Sequence, residues 1–234
     1  MSKKKAFTLA EVLITLGIIG VVAALTMPSL MSNYRRKVAE TQLKQTYSIL
    51  LNAVTKGEQQ VDAPFIGSYP MSYHHDICPT GYEFYACNNA MYQDFLKDNL
   101  SDNVRDLKEG EERIANLSAQ IASILLGKKF ILPNNTVVCL YGGAFTVILK
   151  SSSKKPTVSV IGKNTFRFGK VHTTDYEYAT RGKPPALMPM YGTVSRDKLK
   201  TDCQSSNADT SLNACSQLFI QDGLTFKKDY PIRF

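Results

Sequence analysis

The chain has 234 residues, 44% hydrophobic and 21% charged, which fits one sizeable globular domain or two small ones and excludes a disordered polymer. The net charge of +8 includes Lys3, Lys4 and Lys5; taking these three from 28 Lys and Arg leaves 25 against 20 acids, spread along the chain, so no segment makes a nucleic-acid footprint. Five cysteines, at 78, 87, 139, 203 and 215, contain no C-x-x-C, which argues against structural zinc and thioredoxin-type chemistry.

The lysines stop at Ala6. From Phe7 to Met31 the one charged residue is Glu11. Val12 to Met31 is a run of 20 residues without charge, about the number a helix needs to cross the hydrocarbon core of a bilayer. The leading lysines place the N-terminus in the cytoplasm and the body of the chain outside. Arg35, Arg36 and Lys37 follow the run and read as an interfacial anchor or a solvated face. A secretory signal has a shorter apolar core and an A-x-A-like site, which Val22-Ala23-Ala24 matches weakly. A carboxylate at Glu11 is costly in apolar surroundings, by ~2.5 kcal/mol or more at a bilayer centre and less near its edge, so it needs a partner.

The stretch Lys3-Lys4-Lys5-Ala6-Phe7-Thr8-Leu9-Ala10-Glu11 resembles the leader of type IV pilins and pseudopilins. In that family a short basic leader ends in a small residue, followed by Phe, Thr-Leu and a Glu at the fifth mature position. The small residue here is Ala6, where the family usually has Gly. The resemblance implies that a prepilin peptidase cuts between Ala6 and Phe7 and methylates the new amine on Phe7. It further implies that Glu11 pairs with a neighbouring subunit's amine and so registers assembly. Phe7 and Glu11 are four apart, on one side of a helix. Pro28 stands late in the run, as a kinking proline does in many pilins, and removes one backbone bond. Gly17, Gly20, Ala23 and Ala24 keep one helix face thin.

From Asn33 to Lys56 the helix is expected to continue amphipathically, with Leu43, Tyr47, Leu50, Leu51 and Val54 at three-to-four spacing. Gly57 suits its end. Residues 58–91 are punctuated by Pro64, Gly67, Pro70, Pro79 and Gly81 and read as loop. His74, His75 and Asp76 lie there. Adjacent imidazoles rarely converge on one ion, and the other histidine is His172, so no metal is expected. Short helices are expected over Met91–Leu100 and Val104–Leu126.

The period then changes to two. Lys129–Leu132 and Thr136–Tyr141 flank Pro133-Asn134-Asn135 as a hairpin, and Ala144–Leu149 supplies a third strand. Thr157–Ile161 reads as a fourth, with a turn at Gly162-Lys163-Asn164. Phe166–Phe168 or Val171–Tyr178 supplies a fifth. Strands joined by short turns suggest an antiparallel sheet. Residues 182–202 read as loop, as does the Ser/Asn/Asp-rich stretch between Cys203 and Cys215. Cys215–Ile220 reads as a helical turn or a strand.

Five cysteines allow about 15 ways of forming two bridges. The two short loops, Cys78–Cys87 and Cys203–Cys215, are the pairing chosen, which leaves Cys139 in a β-like run as a small buried hydrophobe. The ending, in which Cys215 precedes Asp222-Gly223 and Asp229-Tyr230-Pro231, resembles the tail of large pilin-like proteins.

The expected fold is α+β: a long N-terminal helix, its first half transmembrane, packed on an antiparallel β-sheet head. The divisions are a leader at 1–6, a membrane or filament-core helix at 7–31, an amphipathic continuation at 32–56 and an extracytoplasmic head at 57–234. No P-loop, G-x-S-x-G, H-E-x-x-H or G-x-G-x-x-G occurs, so no enzyme and no cofactor is expected. The function implied is a structural subunit of a type IV pilus or type II secretion pseudopilus, with prepilin peptidase, other pilin subunits and the membrane as partners. The alternative is a minor pilin-like, membrane-tethered binding module for DNA uptake or adhesion; short pairs such as Lys154-Lys155 do not themselves make a DNA groove.

Overall fold

The computed structural model describes residues 8–61, 100, 105–106, 114–115, 128–141, 144–149, 157–169, 187 and 194–234. Helix α1 runs from Leu9 to Val61. The chain divides into two units, residues 1–38 with Phe234 and residues 39–233, and α1 contributes to both.

In the first unit no described residue is buried. Leu9, Leu13, Ile14, Leu16, Ile18, Ile19, Leu25 and Leu30 all stand at 59% exposure or more. The helix continues through Pro28, whose missing N–H leaves the Ala24 carbonyl without its helical donor. The few hydroxyls in this stretch return to the helix itself: Thr15 Oγ1 donates to Val12 O at 3.0 Å, Thr26 Oγ1 to Val22 O at 2.9 Å and Ser29 Oγ to Thr26 O at 3.1 Å. These internal bonds keep the three hydroxyls satisfied in an apolar medium.

In the second unit α1 turns one stripe inward. Leu43, Tyr47, Leu50, Ala53 and Val54 are buried and Leu51 is half-buried, so the expected amphipathic register holds. The stripe packs on an antiparallel sheet of order β1-β3-β4-β5-β7, made by β1 (Arg105–Asp106), β3 (Lys128–Ile131), β4 (Val137–Tyr141), β5 (Ala144–Ile148) and β7 (Thr165–Gly169). Tyr47 meets Phe168 edge-on at 5.5 Å, and its hydroxyl donates to Leu187 O at 3.0 Å. Thr46 Oγ1 donates to Thr136 Oγ1 at 3.1 Å and accepts from Asn134 Nδ2 at 3.0 Å, which ties the first hairpin turn to the helix. Asn135 supplies the positive φ of that turn (61°), a conformation Asn tolerates. Strand β5 is buried along its whole length and Cys139 is buried in β4, as expected of a small hydrophobe.

The α+β architecture and the β3–β4–β5 meander agree with the sequence; five local expectations do not. Helix α1 does not stop at Gly57 but runs on to Val61. Val104–Leu126 is not a single helix, because β1 and β2 (Ile114–Ala115) interrupt it. Gly110 and the like-charged Glu109, Glu111 and Glu112 break the periodic stripe, and backbone pairing to Phe130 and Ile131 wins at Arg105–Asp106. The segment after Thr157 is not a fourth strand of the main sheet: β6 (Thr157–Val158) pairs parallel with β2. The chain then wraps on one carbonyl. Lys163, Asn164 and Thr165 all donate their N–H to Val160 O at 3.0–3.2 Å, while Asn164 Oδ1 accepts from Val160 N at 2.7 Å. The turn expected at Gly162-Lys163-Asn164 is present, closed on this one carbonyl.

The last two corrections concern the end of the chain. Residues 196–203 form helix α2 (Arg196–Cys203), and residues 208–221 form α3 (Ala208–Gln221), where loop and a short element were expected. Ser195 caps α2 by accepting from Lys198 N, and Asn207 caps α3 by accepting from Thr210 N. Helix α3 also shields β7, an edge strand: Arg167 N–H, facing away from β5, donates to Ser216 Oγ at 2.8 Å.

Candidate functional site: the head of the first helix and the closing tail

Thr8 and Glu11 are the N-cap and third residue of α1. Thr8 N and Thr8 Oγ1 both donate to Glu11 Oε2 at 2.8 Å, and Glu11 N donates back to Thr8 Oγ1 at 3.3 Å. This is a capping box, in which two side chains satisfy each other's orphan N–H groups. A carboxylate in the first turn also meets the positive end of the helix dipole. Both donors use the same oxygen, so Oε1 keeps its lone pairs open to a further cation. The sequence signal, T-x-x-E before an apolar run, is Thr8-Leu9-Ala10-Glu11 and is readable without a structure. Ala6 and Phe7 lie outside the described residues, as do Cys78, Cys87 and the His74-His75-Asp76 cluster.

The second concentration of charge lies in the head, around Arg196 in the first turn of α2. Its guanidinium grips two carboxylates in forked geometry: Nε and Nη2 donate to Asp222 at 2.7 and 2.9 Å, and Nη1 and Nη2 donate to Asp229 at 2.6 and 2.7 Å. Planar, two-pronged pairing of this kind is specific to arginine. Lys227 also reaches Asp222 at 2.9 Å, and Lys200 bridges Asp197 and Asp229 at 2.9 and 3.3 Å.

Asp222 sits at the C-cap of α3, where the helix dipole disfavours an anion, and its carboxylate is 1% exposed. Burial pushes its carboxyl up, but the bonds from Arg196 and Lys227 together outweigh this and hold it below the ordinary 3.8. Bonds from Arg196, helped by Lys200, hold Asp229 below the same value. The guanidinium is held protonated by its bonds to Asp229 and then to Asp222.

The residues between the two acids are positioned by the end of α3. Leu224 N donates to Phe219 O at 2.9 Å and Gly223 N to Ile220 O at 3.0 Å, with Gly223 at φ 76°. This is a Schellman end, and it turns the chain back on the head. Phe226 then packs on Phe219 and Tyr230, both at 4.8 Å, and its N–H donates to Glu40 Oε2 on α1 at 3.3 Å. Tyr230 is buried and donates to Gly162 O at 2.8 Å. Burial, and after it the charge of Asp222, push its phenol well above 10.0.

Cys203 and Cys215 are joined, with Cα atoms 4.7 Å apart, so the bridge staples the end of α2 to the middle of α3 and does not close an exposed loop. Ser211 Oγ donates to Cys203 O at 2.6 Å, which satisfies one of the last carbonyls of α2. Gly162, at φ 74°, lies against this bridge: a Cβ there would come within 2.6 Å of Cys215 Sγ.

The tail motif is therefore a latch. Asp222 and Asp229 take Arg196, Gly223 makes the turn, and Tyr230 closes on Gly162. Each acid already has its cations, and no group of metal-ligating side chains occurs among the described residues. Nothing local to Arg196 singles it out in the sequence, because its two partners lie 26 and 33 residues away. Among the described residues, the head of α1 offers open chemistry to a partner: an apolar helix with one half-engaged carboxylate.

Residues 1–27 match the prokaryotic N-terminal methylation motif, the prepilin-type cleavage and methylation signal of type IV pilins and pseudopilins. No curated protein and no solved structure matches the chain. Residues 29–234 match a second family along nearly all of the remaining sequence. The chain thus carries a pilin-type N-terminal motif, and it belongs to the family described as Family of unknown function (DUF6613).

Proposed function

We propose that the chain is a structural, non-enzymatic subunit of a type IV pilus or a type II secretion pseudopilus. Prepilin peptidase cuts between Ala6 and Phe7 and methylates Phe7; the subunit waits in the cytoplasmic membrane with its head outside, then assembles through α1. The observation that carries this reading is the helix from Leu9 to Met31. Its large apolar side chains are exposed along the whole length, and Glu11 at its head has one oxygen held by Thr8 and the other open. So large an apolar surface needs lipid or other copies of itself. A cationic amine freed on Phe7, in the same chain or a neighbour, suits Oε1. A neighbour out of register leaves the charge unpaired in apolar surroundings, which is the basis of registration.

Intact mass and N-terminal analysis of the membrane-fraction protein test the reading. Methylated Phe7 as the first residue is expected. An uncut Met1, or an N-terminus near Leu25, overturns it.

A further inference from the structure

The exposed apolar helix ends abruptly. Met31 is the last residue of the uncharged run, and Tyr34, 65% exposed, follows just before Arg35 and Arg36. Among the described residues neither arginine has an ion-pair partner. A tyrosine followed by two arginines at the end of an apolar helix matches the chemistry of a membrane–water boundary, where an amphipathic ring sits at headgroup level and guanidinium forks take phosphate.

We infer that Tyr34, Arg35 and Arg36 form a collar that binds the phospholipid phosphates of the outer leaflet and, with Glu11, fixes the depth of the helix in the bilayer. This rests on the membrane-inserted subunit proposed above. From Glu11 to Arg35 is 24 residues of continuous helix, about 36 Å at 1.5 Å per residue. The hydrocarbon core is about 30 Å thick and the full bilayer about 40–45 Å. Both charges therefore fit at once, each just outside the hydrocarbon, and with Arg35 at the outer phosphates Glu11 falls at the inner headgroups.

The two ends oppose different movements. Sliding towards the cytoplasm drags Arg35 and Arg36 into hydrocarbon. Sliding outward drags in Glu11. The arginines do not resist outward movement, since it carries them into water. The collar thus blocks inward slip only; resistance to extraction lies at the cytoplasmic end, in Glu11 and, before cleavage, in Lys3, Lys4 and Lys5 as well.

The chain contains no tryptophan, so an indole introduced at exposed Met31 is a lone depth probe. The full-length Met31→Trp protein is reconstituted in phosphatidylethanolamine–phosphatidylglycerol vesicles, and quenching by lipids brominated at defined acyl positions gives the depth. With Arg35→Gln and Arg36→Gln added, the indole should move about 5 Å, one helical turn, towards the bilayer centre. Glu11→Gln should move it outward once Lys3, Lys4 and Lys5 are also replaced by Gln, since those three cations hold the same end. An indole at the same depth in the parent and the double-arginine variant overturns the collar. Peptidase cleavage of the Met31→Trp parent is measured separately: an uncut parent that still shows the depth shift removes the proposed function and leaves the collar standing.

Discussion

Arg196 is the residue on which the end of the head closes. Replacing it by Gln leaves the buried Asp222 carboxylate with Lys227 and Asp229 with Lys200 as their remaining cations. Removing one partner of a buried charge is costly, and a loss of about 2–3 kcal/mol in urea unfolding of the detergent-solubilised protein is expected. Lys at this position restores charge but not the fork, so Arg196→Lys should recover less than half of that loss. Acid should mimic the substitution. Asp222 and Asp229 both have folded-state pKa values below their unfolded value of 3.8, so their contribution is complete above that pH. It is lost as pH falls from about 4 through the folded values. A midpoint against pH should drop steeply there in the parent and more shallowly in Arg196→Gln; equal slopes would remove the clamp from the account. Tyr230 works in the opposite sense. Its folded pKa is raised, so its contribution is present below pH 10.0 and fades above it. Gly162 is the other sensitive point. Ala there combines a positive φ with a Cβ only 2.6 Å from Cys215 Sγ, and a loss of about 2 kcal/mol or more in the same unfolding assay is expected.

Helices α2 and α3 show how the head is stapled and why the staple was only half legible. The pairing of Cys203 with Cys215 could be proposed from the short spacing, but the helices on either side could not be seen. In α2 the apolar pattern is reduced to Leu199 and Cys203, one turn apart, beneath charges at Asp197, Lys198, Lys200 and Asp202. The readable signals were the caps, Ser195 and Asn207, and the i, i+4 pair Lys198–Asp202 at 2.7 Å. In α3 the serines and asparagine that looked like loop are buried, with Ser211 and Ser216 bonded to backbone carbonyls. Strands β3, β4 and β5 were legible because alternation and turn residues are local, whereas the parallel pairing of β6 with β2 joins residues more than 40 positions apart. Replacing both Cys203 and Cys215 by Ala should cost about 3 kcal/mol, as for any loop of this length, read as a lower thermal midpoint. An unchanged midpoint in the oxidised parent and the double variant would show that Ser211 and the buried face of α3 hold the two helices unaided.

For the whole molecule the division of labour follows the two units. Glu11→Ala removes the open oxygen and half of the capping box, whose described bonds join Glu11 to Thr8. The variant should insert, keep a folded head and be cut, yet be missing from sheared filaments when these are probed by immunoblot. Normal incorporation would show that Glu11 does not register assembly. The contact between Phe226 N–H and Glu40 Oε2 spans 186 positions, and that between Tyr230 and Gly162 spans 68. Folding that depends on such distant pairs is slow and finishes late. The amphipathic part of α1 is made early, with Glu40 already paired to Lys44, but waits for the last tenth of the chain before Glu40 Oε2 accepts from Phe226 N–H. The residues that invite cleavage need no such wait. In the proposed scheme a subunit is thus cut before its head is finished, and the test of a complete head falls to the next step, when copies meet.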